Sequence, residues 1–128
     1  MASTLPTGDE HVLVVDDDAA IRLAMTRLLR GLGYRVTEAA GGEAALATVD
    51  AGQQIDLLLT DIQMPGMSGD QLARQVQALR PGVRVLYVSG DHTLAHYGSG
   101  FSERTSHFLA KPFDASELAA RIRAVLEG

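Results

Sequence analysis

The sequence has no cysteine and no tryptophan, and phenylalanine and tyrosine occur only three times each in 128 residues. Without cysteine there is no disulfide framework and no thiolate metal centre, which fits a reducing compartment. Long apolar runs are also missing. The longest extend about five residues, against the roughly 20 that a bilayer-spanning helix needs. Met1 to Glu10 have neither the basic start nor the apolar stretch of a secretory signal. The expectation is a cytoplasmic protein with no membrane segment. A surplus of positive charge is lacking too. Eleven Lys and Arg stand against sixteen Asp and Glu, a formal net charge of −5. The basic residues are scattered, which argues against nucleic acid as a partner.

What is present is the composition of a globular chain, 46% hydrophobic and 21% charged. Its length suits one domain of ordinary size, read here as residues 11–128, with residues 1–10 a flexible tail or linker. From Val12, short apolar runs alternate with stretches of helical period, the pattern of a parallel sheet covered on both faces. Strands are expected at Val12–Val15, Arg35–Glu38, Asp56–Thr60, Arg84–Val88 and His107–Ala110. All but the second are nearly continuous apolar runs, as strands buried on both faces should be.

A first helix is expected after Asp18 as N-cap, with Ile21, Met25, Leu28, Leu29 and Leu32 on one face and Gly31 and Gly33 ending it. A second falls near Gly42–Val49 with Leu46 and Val49 inward. A third spans Gly69–Leu79, shows Leu72, Val76 and Leu79, and stops before Pro81. The fifth opens with Asp114 and Glu117 at capping-box spacing and buries Leu118, Ile122, Val125 and Leu126. Residues 91–106, with Gly98 and Gly100, predict a short, irregular or mobile fourth helix. These stripes are read as core and not as a groove for a partner.

In an open α/β sheet the ligand site lies at the carboxyl ends of the strands. The unusual polar residues fall there: Asp16 and Asp17 after the first strand, Asp61 after the third, Ser89 after the fourth and Lys111 after the fifth. With strand order 2-1-3-4-5 the second strand is an edge, and its end carries no such residue. Converging carboxylates repel by about 4 kcal/mol per pair at ~4 Å and an effective dielectric near 20. Lys111 offsets part of this, and a divalent cation or a proton must offset the rest. A hard, all-oxygen site with few protein ligands suits Mg²⁺, which completes its shell with water and phosphate. Asp18 most simply caps the helix. His92 and His96, four apart, are read as surface residues, because two histidines without a third ligand are weak evidence for a metal site.

The segments Val14-Val15-Asp16-Asp17-Asp18, Leu59-Thr60-Asp61-Ile62-Gln63-Met64-Pro65-Gly66-Met67-Ser68-Gly69, Val88-Ser89-Gly90 and Leu109-Ala110-Lys111-Pro112-Phe113 resemble those of two-component response regulator receiver domains. Their spacing and wording are most like the C-terminal receivers of hybrid histidine kinases. The resemblance covers Val12 to Leu126 and implies a doubly wound (βα)5 flavodoxin-like fold.

It further implies that Asp61 is the phosphoacceptor and that a Mg²⁺ ion is held by Asp17, Asp61, the backbone carbonyl of Gln63 and, through water, Asp16. Lys111 would pair with the phosphoryl group, Ser89 would be the switch hydroxyl, and Phe108 the aromatic that follows it. A cis peptide bond would precede Pro112. The side chains of Gln63 and Asp91 would tune phosphate lifetime. The implied partner is a histidine kinase or histidine phosphotransfer protein, with the donor histidine on that other protein. The domain would be a phosphoacceptor and not a turnover enzyme, acting as a monomer or a phosphorylation-dependent dimer. It could be free-standing or excised from a hybrid kinase.

Two other readings compete. A haloacid dehalogenase-type phosphatase would use the Asp16-x-Asp18 spacing with Asp16 as nucleophile, but Ala20 stands where that family needs a hydroxyl. A pseudo-receiver would keep the fold and work without phosphate.

Overall fold

The computed structural model describes residues 5–89 and 108–128. Its elements run β1 (His11–Val15), α1 (Ala19–Gly31), β2 (Arg35–Ala39), α2 (Gly42–Asp50), β3 (Leu57–Asp61), α3 (Gly69–Leu79), β4 (Arg84–Ser89), β5 (Phe108–Ala110) and α4 (Ala115–Glu127). The five strands form one parallel sheet in the order β2-β1-β3-β4-β5. The helix expected over 91–106 lies outside the described residues, as do Asp91, His92, His96 and His107. The fifth expected helix is therefore α4.

Alternation along the strands divides the core in two. Val12, Val14, Leu57, Leu59, Leu86 and Val88 point to α1 and α4, where Met25, Leu29, Leu118 and Ile122 meet them. Leu13, Val15, Leu58 and Val85 point to α2 and α3, against Ala45, Val49, Leu72 and Val76. Both faces of β1 and β3 are covered, which is why their sequences are apolar at every position instead of every second one. The edge strand β2 keeps Arg35 and Glu38 in solvent and buries Ala39 at its end.

Local chemistry sets the helix ends. Asp18 Oδ1 accepts from the backbone N–H groups of Ala20 (2.9 Å) and Ile21 (3.2 Å), satisfying donors that the first turn of α1 leaves without partners. In α4, Glu117 N donates to Asp114 Oδ1 (2.8 Å) and Asp114 N to Glu117 Oε1 (3.1 Å), the reciprocal pair expected from the spacing. The same device at α3, where Ser68 N donates to Gln71 Oε1 at 3.1 Å, is not in the sequence reading. The chain turns after α1 at Gly33, whose φ of +101° is a left-handed conformation that favours glycine.

Several expectations shift. Gly31 is the last residue of α1 and does not lie beyond it, and β3 and β4 each run one residue further, so that Asp61 and Ser89 end their strands. Asp61 is still paired with Val88, and Ser89 with Ala110. Leu79 points outward, 42% exposed, because the last turn of α3 has passed the edge of the core before Pro81 ends it. Ile21 and Leu28 are half-buried: they pack against the edge of the core and also line a groove of about 350 Å³ with Ala24, Pro112 and Phe113.

Before β1, Gly8 N donates to Leu32 O (3.1 Å) and Glu10 pairs with Arg123 of α4 at 2.8 Å. Among the described residues no helix is long and apolar enough to cross a membrane.

Candidate functional site

The ends of four strands, β1, β3, β4 and β5, bring the polar residues together. Asp16 leaves β1 fully buried, held by its backbone N–H to Ala39 O (3.3 Å) and its carbonyl to Arg22 Nη1 (2.7 Å). Its Oδ1 accepts from Asp18 N at 2.9 Å. Asp17 is exposed beside it, and Asp61 is half-buried at the end of β3. Carboxylate oxygens of Asp16, Asp17 and Asp61 lie within 4.8 Å of one another. Lys111, following β5, reaches across with Nζ 3.4 Å from Asp61 Oδ2 and 3.5 Å from Asp16 Oδ2. Its backbone N–H donates to Ser89 O at 2.7 Å, and the Lys111–Pro112 peptide is cis.

One ammonium does not balance three carboxylates. Burial pushes the Asp61 carboxyl above the usual aspartate range, the charge of Lys111 works against that rise, and the charge of Asp16 adds to it. The donors are hard oxygens on three converging side chains, so the residues present fit a small divalent cation of the Mg²⁺ class. A carboxylate with a cation site on one side and an ammonium on the other is equipped to attack an electrophile carrying negative oxygens.

Ser89 is fully buried, and its Oγ has no hydrogen-bond partner among the described residues. A buried hydroxyl without a partner costs free energy, and a group brought to the cleft can supply the missing bond. Gln63 is exposed at the rim and donates its backbone N–H to Asp61 Oδ1 at 3.3 Å. Phe108, half-buried on β5, stands opposite Tyr87 of β4, with ring centroids 5.4 Å apart.

Two contributors are absent from the sequence reading. Gly69 begins α3 directly on the backbone of Asp61: a Cβ there would lie 2.2 Å from Asp61 O, and Gly69 N donates to Ile62 O at 2.7 Å. A glycine at the end of the Met64-Pro65-Gly66 loop was visible, but the close approach that requires it is not a local property. Tyr87 was visible two residues before Ser89, yet only the register of β4 and β5 sets it against Phe108. Asp18, by contrast, is turned away into its cap, so Asp16 and Asp18 do not act as a pair.

A sequence profile of response regulator receiver domains matches residues 12–123. The sensor kinase CckA of Brucella abortus is 34% identical over 122 residues, 94% of this chain and 13% of that protein. The DNA-binding transcriptional regulator NtrC of Salmonella typhimurium is 35% identical over 115 residues, 90% of this chain and 24% of that protein. The chain thus spans a small part of these relatives. Among solved structures, the receiver domain of the hybrid histidine kinase CckA superposes with a TM-score of 0.74 at 33% identity, covering 91% of this chain and 98% of that one. The response regulator TrrA of Thermotoga maritima, in complex with Mg²⁺ and BeF, gives a TM-score of 0.78 at 30% identity, over 91% of this chain and 99% of that one.

Proposed function

Since this chain belongs to the response regulator receiver domains of two-component signalling, we propose that it accepts a phosphoryl group onto Asp61 from a phosphohistidine of a histidine kinase or histidine phosphotransfer protein. The observation that carries this reading is the cluster of Asp16, Asp17 and Asp61 closed by Lys111 at the strand ends. Asp17, Asp61, the backbone carbonyl of Gln63 and, through water, Asp16 would hold Mg²⁺. When bound, the ion neutralises the carboxylates and the incoming phosphoryl oxygens. The Thermotoga relative carries Mg²⁺ with BeF, which supports the assignment.

In the transfer, an Asp61 carboxylate oxygen forms a bond to phosphorus as the bond from phosphorus to the histidine nitrogen breaks. The electron pair returns to the imidazole, which takes a proton from solvent. Lys111 pairs with a phosphoryl oxygen, its charge released from Asp61 as the carboxylate becomes an acyl phosphate, a mixed anhydride. The Ser89 hydroxyl donates to a second oxygen, gaining a partner that none of the described residues provides. Phe108 follows the movement of Ser89, and the altered face signals to the partner as a shift between two populated states. The domain returns to its starting state by slow hydrolysis of the acyl phosphate and is not a turnover enzyme. The apolar groove beside Lys111, with Ile21, Leu28 and Phe113, offers surface on which a donor protein can seat itself. The site of action is the cytoplasm.

The phosphatase alternative loses support from Asp18, whose carboxylate is committed to capping α1. Acetyl phosphate with and without Mg²⁺, read by intact mass, tests the reading. One added phosphoryl group on the wild type, dependent on Mg²⁺ and absent from Asp61→Asn, is the expected result. Label that persists on Asp61→Asn overturns it, and a wild type that takes no label in Mg²⁺ points to the pseudo-receiver.

A further inference from the structure

Phe108 has a ring and no hydroxyl, so its side chain acts through packing. Among the described residues it meets the ring of Tyr87. The two residues face each other in the β4–β5 ladder, with centroids 5.4 Å apart and planes inclined by 33°, within the range of a favourable aromatic pair. Tyr87 precedes Ser89 by two positions on one strand, so the two side chains leave the sheet on the same side. On that side Tyr87 packs against the cluster that holds Leu72, Ala73 and Val76 of α3.

The same helix starts on the phosphoacceptor, where Gly69 is pressed against Asp61 O. One residue further, in the first turn of α3, Asp70 keeps Oδ1 buried with no hydrogen-bond partner among the described residues. Arg74 answers only the other oxygen, at 3.9 Å and largely in solvent. Burial, and after it the negative charge of Asp70, push the Tyr87 phenol up to about 12, with Arg74 opposing. Tyr87 therefore stands between the Phe108 ring and the cluster to which α3 contributes Leu72, Ala73 and Val76, and α3 in turn begins on Asp61.

We propose that Tyr87 is the positioning residue that joins the Phe108 ring to α3, so that β5 and α3 respond together when Asp61 is phosphorylated. The link rests on the phosphoacceptor reading of Asp61. It carries the signal to the α3 side of the sheet as well as along β5. It also gives the receiver a tyrosine next to the switch aromatic in place of one at the switch position itself.

The test uses the full chain labelled with ¹³C in the tyrosine ε positions. There are three tyrosines, Tyr34, Tyr87 and Tyr97, assigned by single Tyr→Phe substitutions. Spectra are recorded in Mg²⁺ before and after addition of beryllofluoride, with ¹⁹F signals in the same tube reporting whether it binds. The Tyr87 signal is expected to shift on binding while Tyr34 stays, and the shift is expected to be largely lost in Phe108→Leu, which keeps an apolar side chain without the ring. In Asp70→Asn the Tyr87 signal should move before any beryllofluoride is added. Bound beryllofluoride with an unmoved Tyr87 signal overturns the proposal, as does a full shift in Phe108→Leu or an unchanged signal in Asp70→Asn. Absence of bound beryllofluoride overturns the phosphoacceptor reading instead, and the link that depends on it.

Discussion

Asp61 is the residue at which burial and charge compete most directly. Its folded-state pKa is raised by burial and by Asp16, only partly countered by Lys111. An aspartate whose pKa is higher folded than unfolded stabilises the fold while protonated. That contribution is lost as pH rises from the ordinary aspartate value through the raised one. Without metal, Asp61→Asn should therefore melt above the wild type at pH 7, and the two should converge below about pH 4, the ordinary aspartate range. Melting curves in a chelator check this, and addition of Mg²⁺ should raise the wild type more than the variant. Lys111→Met removes the cation from a fully buried Asp16 as well as from Asp61. Mg²⁺-dependent labelling by acetyl phosphate should fall by about 100- to 1,000-fold, in line with loss of one charge-stabilising group from a site. Equal labelling rates in the two proteins would remove Lys111 from the transfer step.

The glycines that bound the helices show how one substitution acts in opposite directions on different elements. At Gly69 a Cβ would fall 2.2 Å from Asp61 O, so the start of α3 must move off β3. Gly69→Ala should cost on the order of 1–3 kcal/mol, as other over-packed sites do, and on the proposed function should slow phosphorylation, because the carbonyl it displaces belongs to Asp61. At Gly31, the last residue of α1, nothing lies within 4 Å of such a Cβ. Gly31→Ala should stabilise by about 0.5 kcal/mol through lower backbone entropy in the unfolded chain. Urea unfolding midpoints of the two variants should move to opposite sides of the wild type. Nothing in the local sequence separates these glycines, which both lie beside helical runs. The cap at Asp114 was readable because its partner is three residues away, and the contact of Gly69 was not, because its neighbour is the backbone of another element.

Across the whole molecule, stability follows the two core layers and not the apolar pattern alone. Leu58 is fully buried between α2 and α3, whereas Leu79 is 42% exposed although both belong to apolar stripes. Leu58→Ala should cost about 2–5 kcal/mol and Leu79→Ala under about 0.5 kcal/mol, the range of surface changes, both measured by denaturant unfolding. The alternation of apolar runs with helical periods was enough to read a parallel sheet covered on both faces, and its strand order came with the family resemblance. The alternation was not enough to say where the α1 stripe stops being core. Ile21 and Leu28 have the helical spacing of buried residues, yet besides packing against the core they line a groove beside Lys111.

By itself the sequence determined the αβ alternation, the helix caps at Asp18 and Asp114, and the set of polar residues at the strand ends. These depend on periodicity and on partners a few residues away. Only the tertiary structure decided that the oxygens of Asp16, Asp17 and Asp61 come within 4.8 Å of one another. It alone set Lys111 between two of them, left Ser89 Oγ without a partner among the described residues and placed Tyr87 against Phe108. Each of these joins residues from different strands. Their spacing comes from sheet register and the packing of α3 on β3, which the whole chain sets at once.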